Sequence, residues 1–212
     1  MQTEEPARRI RELARDLCPG EALDKKGCAA SSLSAFAAAR YLQNPSKRSV
    51  SGFYLYQSSS RWNGRFEKSG PQSVGRMRGG WNTKLHMVAA SGRDGVTLAL
   101  SAGNCGDAPE GRALLRQLGP AGRPVYLLMD RAYEGGETRA LAIELGCTPV
   151  VPPKTNRKNP WDYDKQLYKQ RNQVERLFRR LKRFRRIFTR YDKLDIIFLA
   201  FVYFALIADA LM

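Results

Sequence analysis

The feature that most restricts the fold is the order of patterned segments that follows the Gly79-Gly80 turn. Residues 81–90 and 96–101 alternate as two strands around the turn Ser91-Gly92-Arg93-Asp94-Gly95, which predicts a hairpin. Residues 109–118 read as a helix, and residues 124–129 as a continuous apolar strand ending at Asp130. A short helix over 137–145 closes at Gly146, and a strand over 148–151 stops at Pro152-Pro153. A long basic helix is predicted from about Asp164 to Phe188, then an apolar helix over 196–208. Hairpin, helix, strand, helix, strand, helix is a mixed α/β order with helices to flank a sheet. Residues 7–17 carry Ala7, Ile10, Leu13, Ala14 and Leu17 at helical spacing, whereas residues 18–70 are poorly patterned.

Charge narrows the partner. The 212 residues hold 36 Lys and Arg against 20 Asp and Glu, a formal charge of +16, which points to a polyanion such as nucleic acid. Residues 154–190 concentrate this excess, with fourteen cations against Asp162, Asp164 and Glu175, a net of +11. Acids that normally alternate with cations on a solvated helix face are missing there. Among these cations Arg179, Arg180, Arg183 and Arg186 are expected to meet phosphates. The single histidine, His86, leaves little room for catalysis or zinc binding by several histidines. Cys18, Cys28, Cys105 and Cys147 lie far apart with no C-x-x-C pair, so they read as reduced thiols rather than metal ligands. The acidic start at Glu4 and Glu5 is the wrong charge for a signal peptide, and residues 196–208 are too few to span a bilayer, so a cytoplasmic, nucleoid-associated protein is expected.

Two carboxylates stand where chemistry could occur. Asp130 ends the apolar strand, and sites in open α/β sheets form outside the carboxyl ends of strands. An aspartate there also serves as an ordinary turn cap, and the residues alone leave both roles open. On the basic helix Tyr168, Arg171, Glu175 and Lys182 fall within roughly 60° of one another on the helical wheel. They border the apolar stripe of Val174, Leu177, Phe178, Leu181, Phe184 and Phe188. Glu175 could pair with Arg171 or Arg179 four residues away. It could equally hold a metal ion within a cationic groove for DNA.

The spacing Y-(2)-R-(3)-E-(6)-K of Tyr168, Arg171, Glu175 and Lys182 resembles the hallmark of the DDE-type transposases of bacterial insertion sequences, in the IS-five-like group. M-D-R-A-Y around Asp130, G-R-M-R-G-G from Gly75, T-K-L-H from Thr83, P-V-V-P-P-K-T-N-R-K and R-R-I-F-T-R-Y-D-K-L also look like that family. The resemblance covers residues 75–212. It implies a ribonuclease-H-like mixed sheet flanked by helices, with Asp130 and Glu175 as catalytic, metal-binding acids. It further implies Mg²⁺ or Mn²⁺, cleavage and strand transfer at the element's terminal inverted repeats, and a homo-oligomer on terminal and target DNA. Tyr168, Arg171, Arg179, Lys182, Arg183 and Arg186 are the expected DNA-binding residues.

The pattern breaks at the first aspartate, which the family carries in a D-S-T-like motif about two dozen residues before the G-R-x-R-G-G turn. That count lands near Ser51 and Gly52, and no Asp occurs between Asp24 and Asp94. The opening strand would be Phe53-Tyr54-Leu55-Tyr56, with no carboxylate, and is expected to be degraded or missing. The genetic code supplies a specific reason. Residues 52–68, G-F-Y-L-Y-Q-S-S-S-R-W-N-G-R-F-E-K, can be encoded so that a reading one nucleotide later gives D-S-T-F-I-K-V-H-P-D-G-T-G-A-L-K. Residues 1–70 are accordingly read as an N-terminal region translated at least partly out of the ancestral frame, and residues 71–212 as the catalytic domain. Frame would be restored near Glu67-Lys68. The gene's nucleotide sequence checks this: the shifted frame of codons 52–68 is expected to encode a D-S-T-like peptide. Three functional classes follow, an insertion-sequence transposase, a DNA-binding remnant of one, and a metal-dependent nuclease on the same fold.

Overall fold

Strand formation begins inside the stretch with the weakest sequence pattern. In the computed structural model, which describes residues 52–62, 70–121 and 123–211, Gly52–Trp62 forms an eleven-residue strand, β1, at the centre of the sheet. The expectation of a degraded or missing first strand is thus corrected. Pairing uses backbone groups, and aromatic residues such as those at 53, 54 and 56 suit a pleated surface whatever motif they replace. The amphipathic pattern over 7–17 lies outside the described residues.

Six further strands join β1: β2 (Gly75–Met77), β3 (Gly80–Ala89), β4 (Gly95–Ala102), β5 (Val125–Met129), β6 (Cys147–Val150) and β7 (Thr189–Arg190). The predicted hairpin is β3–β4, antiparallel, with an irregularity at Val88/Ala89. β3 runs antiparallel to β1, while β5 is parallel to β1 and β6 parallel to β5. The parallel strands are joined through helices, α1 (Asp107–Leu118) between β4 and β5 and α2 (Gly136–Glu144) between β5 and β6. Gly146, with φ of 77°, turns the chain from α2 into β6. Gly111 lets α1 approach the sheet, since a Cβ there would lie 2.5 Å from the Tyr133 ring.

Period-two alternation divides the core between the two faces of the sheet. Leu55, Leu127 and Met129 pack with Leu114, Leu115 and Leu141 under α1 and α2. Tyr54 and Leu128 pack on the opposite face with Val174, Leu177, Phe178 and Phe198. Those partners come from α4 (Asn172–Leu181) and α6 (Asp195–Leu211). The single long basic helix is instead three pieces, α3 (Lys165–Lys169), α4 and α5 (Arg185–Phe188). At the first break, Arg171 and Gln173 donate to carbonyls three residues back, tightening the turn. At the second, Phe184 is extended (ψ 111°), and Ile187 beyond it is buried in the second core.

The apolar run over 196–208 lies in α6 but is buried on one side only. Phe198, Val202 and Ala205 face the sheet, whereas Phe204, Ile207 and Leu211 are exposed. A helix lying on the outside of a layer presents only one stripe to it. Among the described residues no helix is long and apolar enough to cross a membrane.

His86 is fully buried in β3, with Nδ1 2.9 Å from the Tyr133 hydroxyl and Nε2 2.7 Å from Ser101 Oγ. Burial, the largest cause, lowers its pKa from 6.5 to about 4; Asp107 pulls upward and Lys84 adds to the fall. The unfolded chain therefore binds a proton between pH 6.5 and pH 4 that the folded chain refuses. Stability from this site should be complete above pH 6.5 and lost as pH drops toward 4, by up to about 3 kcal/mol. Urea titrations at pH 7 and pH 4 should show a smaller difference in His86→Gln than in the parent chain.

Candidate active site

Asp130 leaves the end of β5 and caps the short turn Arg131–Tyr133, its carboxylate accepting the Arg131 N–H at 2.8 Å. Its own N–H donates to Leu55 O of β1 at 3.3 Å. Glu175 comes from α4, whose apolar side, Val174, Leu177, Phe178 and Leu181, is buried against the sheet. Packing that stripe brings Glu175 to the end of β5. Arg171 lies between the two acids, 2.7 Å from Glu175 and 3.8 Å from Asp130. Its guanidinium also stands over the Tyr168 ring at 5.4 Å, and Tyr163 meets that ring edge-on at 5.6 Å. Burial raises the Tyr168 pKa, against the opposing pull of Arg171. Asp130, Tyr168, Arg171 and Glu175, distant in sequence or separated by a helix break, thus form one cluster.

The other expected DNA contacts are distributed differently. Lys182 caps the end of α4 half-buried, and burial lowers its pKa. Arg179 and Arg183 are exposed and have no acidic partner among the described residues. Arg186 stands 3.7 Å from Asp192 and over the Phe201 ring. Arg180 is not available as a phosphate contact: it pairs with Asp209 at 2.7 Å and donates to the Gly92 carbonyl. Arg190, counted with the basic segment, is fully buried. Of the four cysteines, Cys105 is exposed and Cys147 buried, both as free thiols; Cys18 and Cys28 lie outside the described residues.

The strand beside Asp130 contributes no carboxylate. Register pairs Leu55 with Met129, so Tyr56 is the next position, level with Asp130, while Gly52 pairs with Tyr126 four residues earlier. Among the described residues no group of three or more His, Cys, Asp and Glu is gathered to hold a metal ion. Two carboxylates alone do not fit a two-ion site, which also needs a carboxylate shared by both ions.

The Transposase DDE domain family matches residues 65–208. The chain belongs to this transposase family. A relative named as a transposase for insertion sequence element IS6501, from Brucella ovis, is 35% identical over 128 residues, covering 58% of this chain and 93% of its own. The piggyBac transposase, solved as a synaptic complex with hairpin DNA, overlaps at 12% identity and a TM-score of 0.49, covering 75% of this chain and 45% of its own. The Mos1 mariner paired end complex with Mn overlaps at 15% identity and a TM-score of 0.44, covering 96% and 66%. This chain therefore spans less than half of the piggyBac chain and under two thirds of the Mos1 chain. Within the transposase domain the order β4-β3-β1-β5-β6, antiparallel then parallel, is the ribonuclease-H-like sheet expected for the family. Transposases of this kind generally use divalent metals.

Sequence reasoning missed Glu134, Arg139 and Trp161, which line one cavity. A signal existed in the K-T-N-R-K run and in the glutamate four residues after Asp130. Only the parallel course of β5 and β6 brings those two segments to the same sheet edge.

Proposed function

We propose that this chain is an insertion-sequence transposase that engages DNA through its basic α4 face, with cleavage and strand transfer impaired. The observation that carries this reading is the composition of β1, G-F-Y-L-Y-Q-S-S-S-R-W, which puts no acid beside Asp130. DNA at the element's ends and at the target is the proposed partner, with a homo-oligomer joining two ends. The exposed Arg179 and Arg183 supply sequence-independent phosphate contacts. The family match begins at residue 65, close to Glu67-Lys68, which supports a frame change just upstream and an N-terminal region of different origin.

Salt dependence tests the DNA reading. Affinity for a duplex should fall steeply with salt, and Arg179→Gln with Arg183→Gln should reduce the log–log slope by about two, near 0.9 for each lost phosphate contact. Arg180→Gln should act on folding instead, because it strands buried Asp209. An unchanged slope in the Arg179, Arg183 double variant would turn the proposed binding face elsewhere.

A further inference from the structure

Beyond the ends of β5 and β6 lies an open cavity of about 660 Å³ whose charged lining is Arg139, Lys154, Arg157 and Lys158 against the single acid Glu134. We propose that it is a second DNA contact, a subsite that grips a backbone phosphate at the end of the sheet from which Asp130 also emerges; this rests on the DNA reading above. Glu134 is buried and anchors the wall, 3.4 Å from Lys154 Nζ and 3.7 Å from Arg157 Nε, and accepts the Lys154 N–H at 3.4 Å. Trp161 fixes the other side. Its Nε1 donates to Val151 O at 2.9 Å, and the Arg139 and Arg157 guanidinium groups stand 3.6 and 4.7 Å from its ring centre.

Two guanidinium groups held on one indole repel each other, and the one acid of the cavity, Glu134, is shared between Arg157 and Lys154. Arg139 Nε is buried with no hydrogen-bond partner among the described residues, so a donor is already desolvated and unused. Burial and the neighbouring Arg157 both disfavour the charged form of Arg139, with only Glu134 opposing them. A phosphate would satisfy that donor and neutralise the pair, and guanidinium forks match phosphate oxygens geometrically. Placement favours a polymer phosphate over a free one. Asp130 and the Lys154 loop leave adjacent parallel strands at the same edge, so a DNA strand crossing the acids would pass the cavity.

The test uses the full chain, a fluorescent 30-base-pair duplex, and inorganic phosphate as a separate probe. Arg157→Gln with Lys158→Gln should lower the log–log salt slope by about two. Lys158→Gln alone, at an exposed position, should lower it by about one if the double variant misfolds. A slope unchanged in these variants but lowered in the Arg179, Arg183 variant would overturn this subsite and leave the DNA reading standing. Thermal stabilisation of the parent chain by inorganic phosphate that these variants lose, with no change in DNA slope, would identify a free-anion pocket and overturn it too. A parent chain with no salt-dependent DNA binding would overturn both.

Discussion

Supplied with Mg²⁺ or Mn²⁺ and a labelled insertion-sequence end, the chain as it stands is expected to give no cleavage above background. In a two-ion mechanism one carboxylate bridges both metals, and here β1 offers none. Losing such a ligand removes several kcal/mol of transition-state stabilisation, on the order of a thousandfold or more in rate. A repair separates this from general inactivity, and register specifies where it belongs. Motif spacing points to Gly52, with a D-S-T-x-x-K segment over residues 52–57. Gly52 is level with Tyr126, however, about 13 Å along the strand from the level of Asp130 at about 3.3 Å per residue. Tyr56→Asp puts the new acid at the right level and on the same strand parity as Gly52. The expected order is therefore measurable cleavage with aspartate at 56 and none with aspartate at 52. Asp130→Ala or Glu175→Ala should then abolish what the repair recovers. Robust cleavage by the unrepaired chain would sink the proposal and require another acid to act. Neither obvious substitute is idle: Asp107 pairs with Lys84 at 2.7 Å, and Asp94 accepts from Ser91 Oγ at 2.8 Å.

Replacing Arg190 with Ala is expected to destabilise the fold by about 3–5 kcal/mol, the usual cost of breaking a buried ion pair. Its guanidinium is inaccessible to solvent and donates to Thr83 Oγ1 at 2.8 Å, Asp195 at 2.8 Å, and the carbonyls of Asp192 and Lys193 at 2.9 and 3.0 Å. Asp195 also accepts from the Ser73 N–H and hydroxyl, so one cation ties β3, the segment leading into β2 and the start of α6 together. Lysine should rescue little, because a point charge cannot supply four donors in that plane. Urea unfolding checks this: the midpoint should fall in Arg190→Ala with an unchanged slope. A midpoint shift within experimental error would show that the network contributes nothing net.

Composition and short-range pattern determined a good deal about this protein. The β3–β4 hairpin, α1, β5, α2 and β6 were legible because apolar periodicity and turn residues act over a few positions, and core burial follows from them. Asp130 and Glu175 were legible through their spacing within motifs. Three things were decided only in the tertiary structure. One is the full length and central place of β1, of which only the aromatic start at residues 53–56 reads as a strand, and which pairs on both sides through backbone groups. A second is the division of labour among the arginines. Arg179, Arg180 and Arg190 look alike in a basic run, yet one is exposed, one holds Asp209 and one is buried. The third is the level of Tyr56 with Asp130 and the meeting of Glu134 with Trp161, which depend on strand register and on parallel neighbours far apart in the chain. Local propensity reaches a few residues, whereas register and ion-pair choice are set when whole faces pack, and no short-range signal carries them.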